Sequence, residues 1–174
     1  MDKVLLVIPA FNEEKNIERV VEDLVRGFGQ LDYVVVNDGS KDDTLKIARE
    51  LHEKDPRVRY ISFSRNFGKE AGILAGLQAA KGEYVAMMDA DLQDSPDELP
   101  EMYRMITQEG YDLVSGWKKK RYDPLSKTIP TKIFNATARK VSGIKNLHDF
   151  NCGLKAYKLD VVKNIEVYGE MHRY

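Results

Sequence analysis

Val85–Leu99 reads VAMMDADLQDSPDEL. Its opening residues are a continuous apolar run, the pattern of a strand buried on both faces, and the run stops abruptly at Asp89. Six acids (Asp89, Asp91, Asp94, Asp97, Glu98 and Glu101) fall between Asp89 and Glu101 with no base among them. Asp94 and Ser95 are placed to cap a helix starting near Pro96, and Asp97 and Glu98 suit its positive end. That helix start does not need Asp89 or Asp91. Flanking one small residue, they can gather two carboxylates and the Gln93 carbonyl oxygen around a hard cation, Mg²⁺ or Mn²⁺. Mg²⁺ is usually held by one or two carboxylates together with substrate phosphates and water, so such a pair predicts a metal bound to a diphosphate.

Three further apolar runs, KVLLVIP, LDYVVVND and VRYISF, have the same unbroken character. Between them the apolar spacing turns helical: Ile17, Val20, Val21, Leu24 and Phe28; Leu45, Ala48 and Leu51; Ile73, Leu74, Leu77 and Ala80. Asn12 is a candidate N-cap for the first helix, Ser40 with Asp43 resembles a capping box for the second, and Gly82 and Gly110 are candidate stops. Strand alternating with helix predicts an α/β fold: a doubly wound, mostly parallel sheet with helices on both faces. YDLVSGW reads as a fifth strand and FNCGLKAY as another, with a basic loop and an amphipathic helix near Ile133 between them.

A chain of 174 residues is one ordinary domain, so residues 1–174 read as a single unit. The ending GEMHRY carries no turn or polar-tail signal, which leaves truncation at the C-terminus open. Lys plus Arg total 27 against 28 Asp plus Glu, a balance that gives no global attraction to nucleic acid. Charge is nevertheless segregated, because Trp117–Lys132 holds six bases (Lys118, Lys119, Lys120, Arg121, Lys127, Lys132) and one acid, Asp123. Cys152 is the only cysteine, which excludes an intrachain disulfide and fits a reducing, cytoplasmic setting. No apolar run approaches the ~20 residues that span a bilayer. His148 and His172 have no spaced partner and read as structural, and Cys152 reads as a packing residue.

Polar residues gather where each strand ends: PAFNEE, NDGS, SRNFG and DADLQD. One such end is ordinary turn chemistry, but ligands in open α/β sheets bind at the carboxyl ends of strands, and four ends in a row predict a site. VIPAFNEEKNI, VVVNDGSKDDT, SRNFGKEAGILAGLQAAKGEYVAMMDADLQDSPDELPEM and DFNCGLKAY together resemble the inverting family 2 glycosyltransferases. They resemble in particular the polyprenyl-phosphate branch, which includes dolichyl-phosphate mannose synthase and bactoprenol glucosyltransferases. The motifs are in order over nearly the whole chain.

The resemblance implies the nucleotide-sugar transferase (GT-A type) fold and a set of roles. Pro9, Phe11 and Glu13 correspond to residues lining the nucleotide base and ribose, and Asp38 to the acid that hydrogen-bonds the base. Asp89 and Ala90 correspond to positions under the ribose and diphosphate, with Asp89, Asp91 and Gln93 about the Mg²⁺ or Mn²⁺. Arg65, Gly68 and Lys69 would neighbour the donor, unless they form only a solvated loop entering a helix. Lys118 stands where relatives often carry an arginine, which keeps positive charge but loses bidentate geometry. The partners implied are a nucleotide-sugar, UDP- or GDP-linked, and a polyprenyl phosphate at the inner membrane face; a homo-oligomer stays open.

The corresponding chemistry is displacement of a nucleoside diphosphate from the anomeric carbon with inversion, for which a divalent cation stabilises the leaving group. A phosphate acceptor, with a second pKa of about 6, is already ionised and needs no strong base. The basic run from Lys118 would then receive it, or else is a solvated loop. A glycan or protein hydroxyl acceptor would need a base, and Asp149 is the candidate. A phosphoacceptor receiver domain also gathers acids and Mg²⁺ at strand ends. It needs an acidic pair after the first strand and an Asp after the third, where this chain has PAFNEE and SRNFG. A binding domain or fragment without turnover is the remaining alternative.

Overall fold

A computed structural model describes residues 4–91, 94–117, 134–141, 143–144, 149 and 152–164. The strands and helices alternate as β1 (Val4–Ala10), α1 (Ile17–Gly27), β2 (Asp32–Asn37), α2 (Thr44–Lys54), β3 (Val58–Ser62), α3 (Lys69–Ala79) and β4 (Tyr84–Met87). A 3₁₀ turn at Pro96–Glu98 leads into α4 (Leu99–Gln108), followed by β5 (Leu113–Ser115), a helix α5 over residues 134–141, β6 (Lys155–Lys158) and α6 (Leu159–Lys163).

These strands form a six-stranded sheet in the order β3-β2-β1-β4-β6-β5. β1, β2, β3 and β4 pair in parallel, whereas β6 is antiparallel to both β4 and β5. The sheet is therefore mostly parallel, as the sequence pattern implies. Successive residues of each strand feed opposite faces. Leu6, Ile8 and Ala10 of β1 pack with α1, α2 and α4, while Leu5 and Val7 pack with α3 and α6. Burial on both faces explains why β1, β2 and β4 read as unbroken apolar runs, whereas β3, at the sheet edge, is mostly half-buried.

The helix starts differ from their sequence reading. Asn12 lies short of α1, whose N-cap is Asn16, and holds a left-handed backbone at φ 58°. Ser40 does not form a capping box. Its hydroxyl accepts the Asn12 amide at 2.9 Å, and the Asp42 carboxylate takes the Thr44 amide at 3.1 Å. The side chains expected to cap helices locally instead join two loops, a choice that sequence spacing does not record. Ahead of α4 the cap is Ser95, whose Oγ accepts from the Asp97 amide at 3.4 Å, and Asp94 is not part of it.

Helix α3 lies close against β1 because Gly76 has no side chain there. A Cβ at that position would stand 2.3 Å from Val7 Cγ1. Gly76→Ala is expected to lower the unfolding free energy in urea by about 1–3 kcal/mol through overpacking. Gly27→Ala, at the end of α1 with nothing within 4 Å, should not lower it.

Candidate active site

The chain order reverses between β1 and β4, and in open α/β sheets that reversal opens a crevice at the carboxyl ends of the strands. Pro9, Ala10, Phe11, Asp38, Asn66, Lys69 and Gly72 line a cavity there. The exposed Phe11 ring stands at its edge. The β1–α1 loop is fixed to the β2–α2 loop by hydrogen bonds running both ways: Lys41 N donates to Asn12 Oδ1 (2.9 Å), Glu13 N to Thr44 Oγ1 (2.9 Å) and Asp43 N to Glu14 Oε2 (3.1 Å). The Glu13 carboxylate accepts from Asn16 Nδ2 at 2.9 Å and so sits at the head of α1.

Asp38 is buried, and its carboxylate organises the far wall of the cavity. Oδ1 accepts from Phe67 N at 2.7 Å and Oδ2 from Gly68 N at 3.0 Å, which fixes the turn into α3. Gly68 has φ 98°, a conformation that favours glycine, and is the N-cap of that helix. Arg65 is not among the lining residues. It is exposed and stacks its guanidinium 4.8 Å from the Phe67 ring centre.

At the first residue of α3, Lys69 grips Asp89 just beyond β4, with Nζ 2.6 Å from Oδ1 and 2.7 Å from Oδ2. The next residue, Ala90, faces the opposite core and is buried there. Asp91 is half-buried. Beneath Asp89 runs the segment entering β6, where a Cβ on Gly153 would stand 2.3 Å from Asp89 Oδ2 and 2.9 Å from Asp94 Oδ2. Asp94 thus turns toward Asp89 rather than toward the helix, and the Cys152 thiol approaches its Oδ1 at 3.7 Å.

Asp149 is 2% exposed, with Oδ1 accepting from Asn135 Nδ2 at 3.4 Å. Lys155, which the sequence reading did not single out, is 5% exposed and lies in the electrostatic field of Asp89, Asp149 and Lys69. Burial pushes its pKa below the usual lysine value, and Lys69 adds to that effect while the Cys152, Asp89 and Asp149 charges oppose it. Its signal in the sequence was a charge inside the apolar strand run GLKAY. Gln93, Lys118, the other bases of the 118–132 run, His148 and His172 lie outside the described residues.

The carboxylates at the end of β4 fit a hard divalent cation, since their oxygens are the donor type that Mg²⁺ and Mn²⁺ prefer. Among the described residues no three His, Cys, Asp or Glu side chains form an ion cage.

Residues 5–166 match the profile of glycosyl transferase family 2. The chain belongs to that family. Among curated proteins, this family 2 chain is 37% identical over 175 residues to a dodecaprenyl-phosphate galacturonate synthase of Rhizobium johnstonii, covering 97% of the chain and 52% of the relative. It is 33% identical over 167 residues to an undecaprenyl-phosphate 4-deoxy-4-formamido-L-arabinose transferase of Proteus mirabilis, covering 93% and 51%. The chain thus spans about half the length of these relatives.

Two solved structures share the fold. A Pyrobaculum calidifontis mannosyltransferase in complex with GDP-Man and Mn²⁺ aligns with a TM-score of 0.69 at 22% identity, over 97% of this chain and 48% of that one. Glucosyl-3-phosphoglycerate synthase of Mycobacterium tuberculosis in complex with UDP aligns with a TM-score of 0.74 at 24% identity, over 94% and 59%. The family 2 chain therefore has the GT-A sheet that the family resemblance implies.

Gly153→Ala drives a methyl group into the Asp89 carboxylate. It is expected to weaken Mn²⁺ binding, measured by calorimetry, ~10–100-fold, as loss of an orienting contact commonly does. The thermal midpoint should move little, because the displaced group is a side chain at the crevice rather than core.

Proposed function

We propose that this family 2 chain binds a nucleoside-diphosphate sugar in the crevice between β1 and β4 and transfers the sugar, with inversion, to a polyprenyl phosphate. The observation that carries this reading is the placement of Lys69 on Asp89 at the carboxyl end of β4, beside the cavity lined by Phe11 and Asp38. A basic and an acidic group meet there where a diphosphate and its cation would both need a partner.

In this reading Pro9, Phe11 and Glu13 form the wall for base and ribose, and Asp38 fixes the turn that closes the other side. Asp89 and Asp91, with Gln93, would hold Mg²⁺ or Mn²⁺. The cation, when bound, offsets the negative charge that grows on the departing nucleoside diphosphate. Lys69 can swing from Asp89 to a phosphate oxygen, because its side chain is 43% exposed. The bases from Lys118 onward would receive the second anion, the acceptor phosphate.

Two relatives above 30% identity are named for polyprenyl-phosphate sugar transfer, which supports a lipid phosphate as acceptor. Burial of Asp149 supports the same choice, because a base for a hydroxyl acceptor must reach solvent or substrate, and this carboxylate is 2% exposed. No helix among the described residues is long and apolar enough to cross a membrane. The proposed transfer takes place at the inner membrane face, where a lipid phosphate presents its headgroup.

Titration of UDP- and GDP-sugars with and without Mn²⁺, followed by assay with undecaprenyl phosphate, tests the reading. Binding of one donor class that requires Mn²⁺, disappears in Asp91→Ala, and leads to a glycosylated lipid phosphate is expected. A folded protein that binds neither class would overturn it. Asp149→Asn should keep most of the turnover with the phosphate acceptor, and a collapse in kcat at unchanged KM would instead favour base catalysis on a hydroxyl.

A further inference from the structure

Lys155 opens β6 in register with Met87 of β4 and Ser115 of β5. Because β6 is antiparallel, its first residue lies at the carboxyl end of β4, where Asp89 follows Met87 by two positions. Tyr157 packs in the core beneath α3, whereas Ala156 packs in the opposite core, so strand alternation puts Lys155 on the α3 face. Met87 lies in that same α3-side core, and Asp89 receives Lys69 from α3. Asp89 and both lysines thus meet on one side of the sheet. Lys158, at the other end of β6, is a contrast: it makes an ordinary surface pair with Asp112 at 2.8 Å.

The two lysines differ in freedom. Lys69 is 43% exposed in its side chain and can leave Asp89, while Lys155 is 5% exposed and enclosed with its neighbours. An enclosed ammonium needs compensating charge, and Asp89 and Asp149, with Cys152, favour it against burial and Lys69. The same relation holds in reverse, since two carboxylates at a diphosphate site repel the ligand unless a cation remains beside them.

Resting on the donor-site reading above, we infer that Lys155 is a positioning residue of the transfer site. It is a fixed buried counter-charge that acts through Asp89 and Asp149 and keeps the crevice receptive to a diphosphate once Lys69 has moved away. Its effects on cation and anion must then have opposite signs, whereas a purely structural lysine would affect both in the same direction.

The test is calorimetry on wild type, Lys155→Met and Lys155→Arg, with Mn²⁺ alone and with UDP or GDP in the presence of Mn²⁺. Lys155→Met is expected to bind Mn²⁺ alone at least as tightly as wild type and the diphosphate roughly tenfold more weakly. Lys155→Arg, which keeps the charge, should stay within about threefold of wild type for the diphosphate. The Arg variant decides alone should the Met variant fail to fold. Parallel losses of both ligands in Lys155→Met, unchanged diphosphate affinity there, or a tenfold loss in Lys155→Arg would overturn the role of Lys155 and leave the donor site standing. Wild type that binds neither UDP nor GDP would overturn both.

Discussion

A carboxylate placed just past a strand buried at Val85, Ala86 and Met87 has to be compensated, and at Asp89 the compensation sets the shape of the whole crevice. Lys69 reaches it from the start of α3, and the bare backbone of Gly153 lets the β6 segment pass directly beneath. α3 must therefore begin at the level where β4 ends, and its close approach to β1 at Gly76 allows that. Asp38 fixes the preceding turn by taking the Phe67 and Gly68 amides, so the lysine is delivered from a rigid corner rather than a free loop. Packing, backbone hydrogen bonds and site electrostatics converge on one ion pair.

Such a pair at a partly exposed position contributes little to stability, because solvent screens it and two side chains must be ordered to form it. Its value lies in preorganisation. The crevice presents an anion-seeking lysine and a cation-seeking carboxylate already in contact, and under the proposed function a metal-bound diphosphate would satisfy both when the contact opens. The loops on the other side are held by reciprocal bonds among Asn12, Ser40, Glu14 and Asp42, which keeps the Phe11 wall in place without burying it.

Much of this was legible in the sequence. Unbroken apolar runs alternating with helical spacing gave the parallel sheet, and polar residues at successive strand ends located the crevice. Three features were not legible. The capping roles of Asn12 and Ser40 depended on which loop lies opposite, a tertiary fact that overrides local propensity. Asp94 read as a cap because it precedes Pro96, but with Ser95 capping the 3₁₀ turn, its carboxylate turns toward Gly153. Lys155 escaped notice because its place beside Asp89 follows from β6 being antiparallel and inserted between β4 and β5, and no periodicity encodes strand order.

The central claim is that Asp89 exchanges a lysine for a metal-bound diphosphate. Crystals grown with Mn²⁺ and a nucleoside diphosphate, with data collected for manganese anomalous scattering, would test it most directly. The account predicts one anomalous peak beside the Asp89 and Asp91 carboxylates, with Lys69 turned from Asp89 to a phosphate oxygen. Diphosphate bound elsewhere, or bound in this crevice with Lys69 still on Asp89 and no manganese beside it, would contradict it.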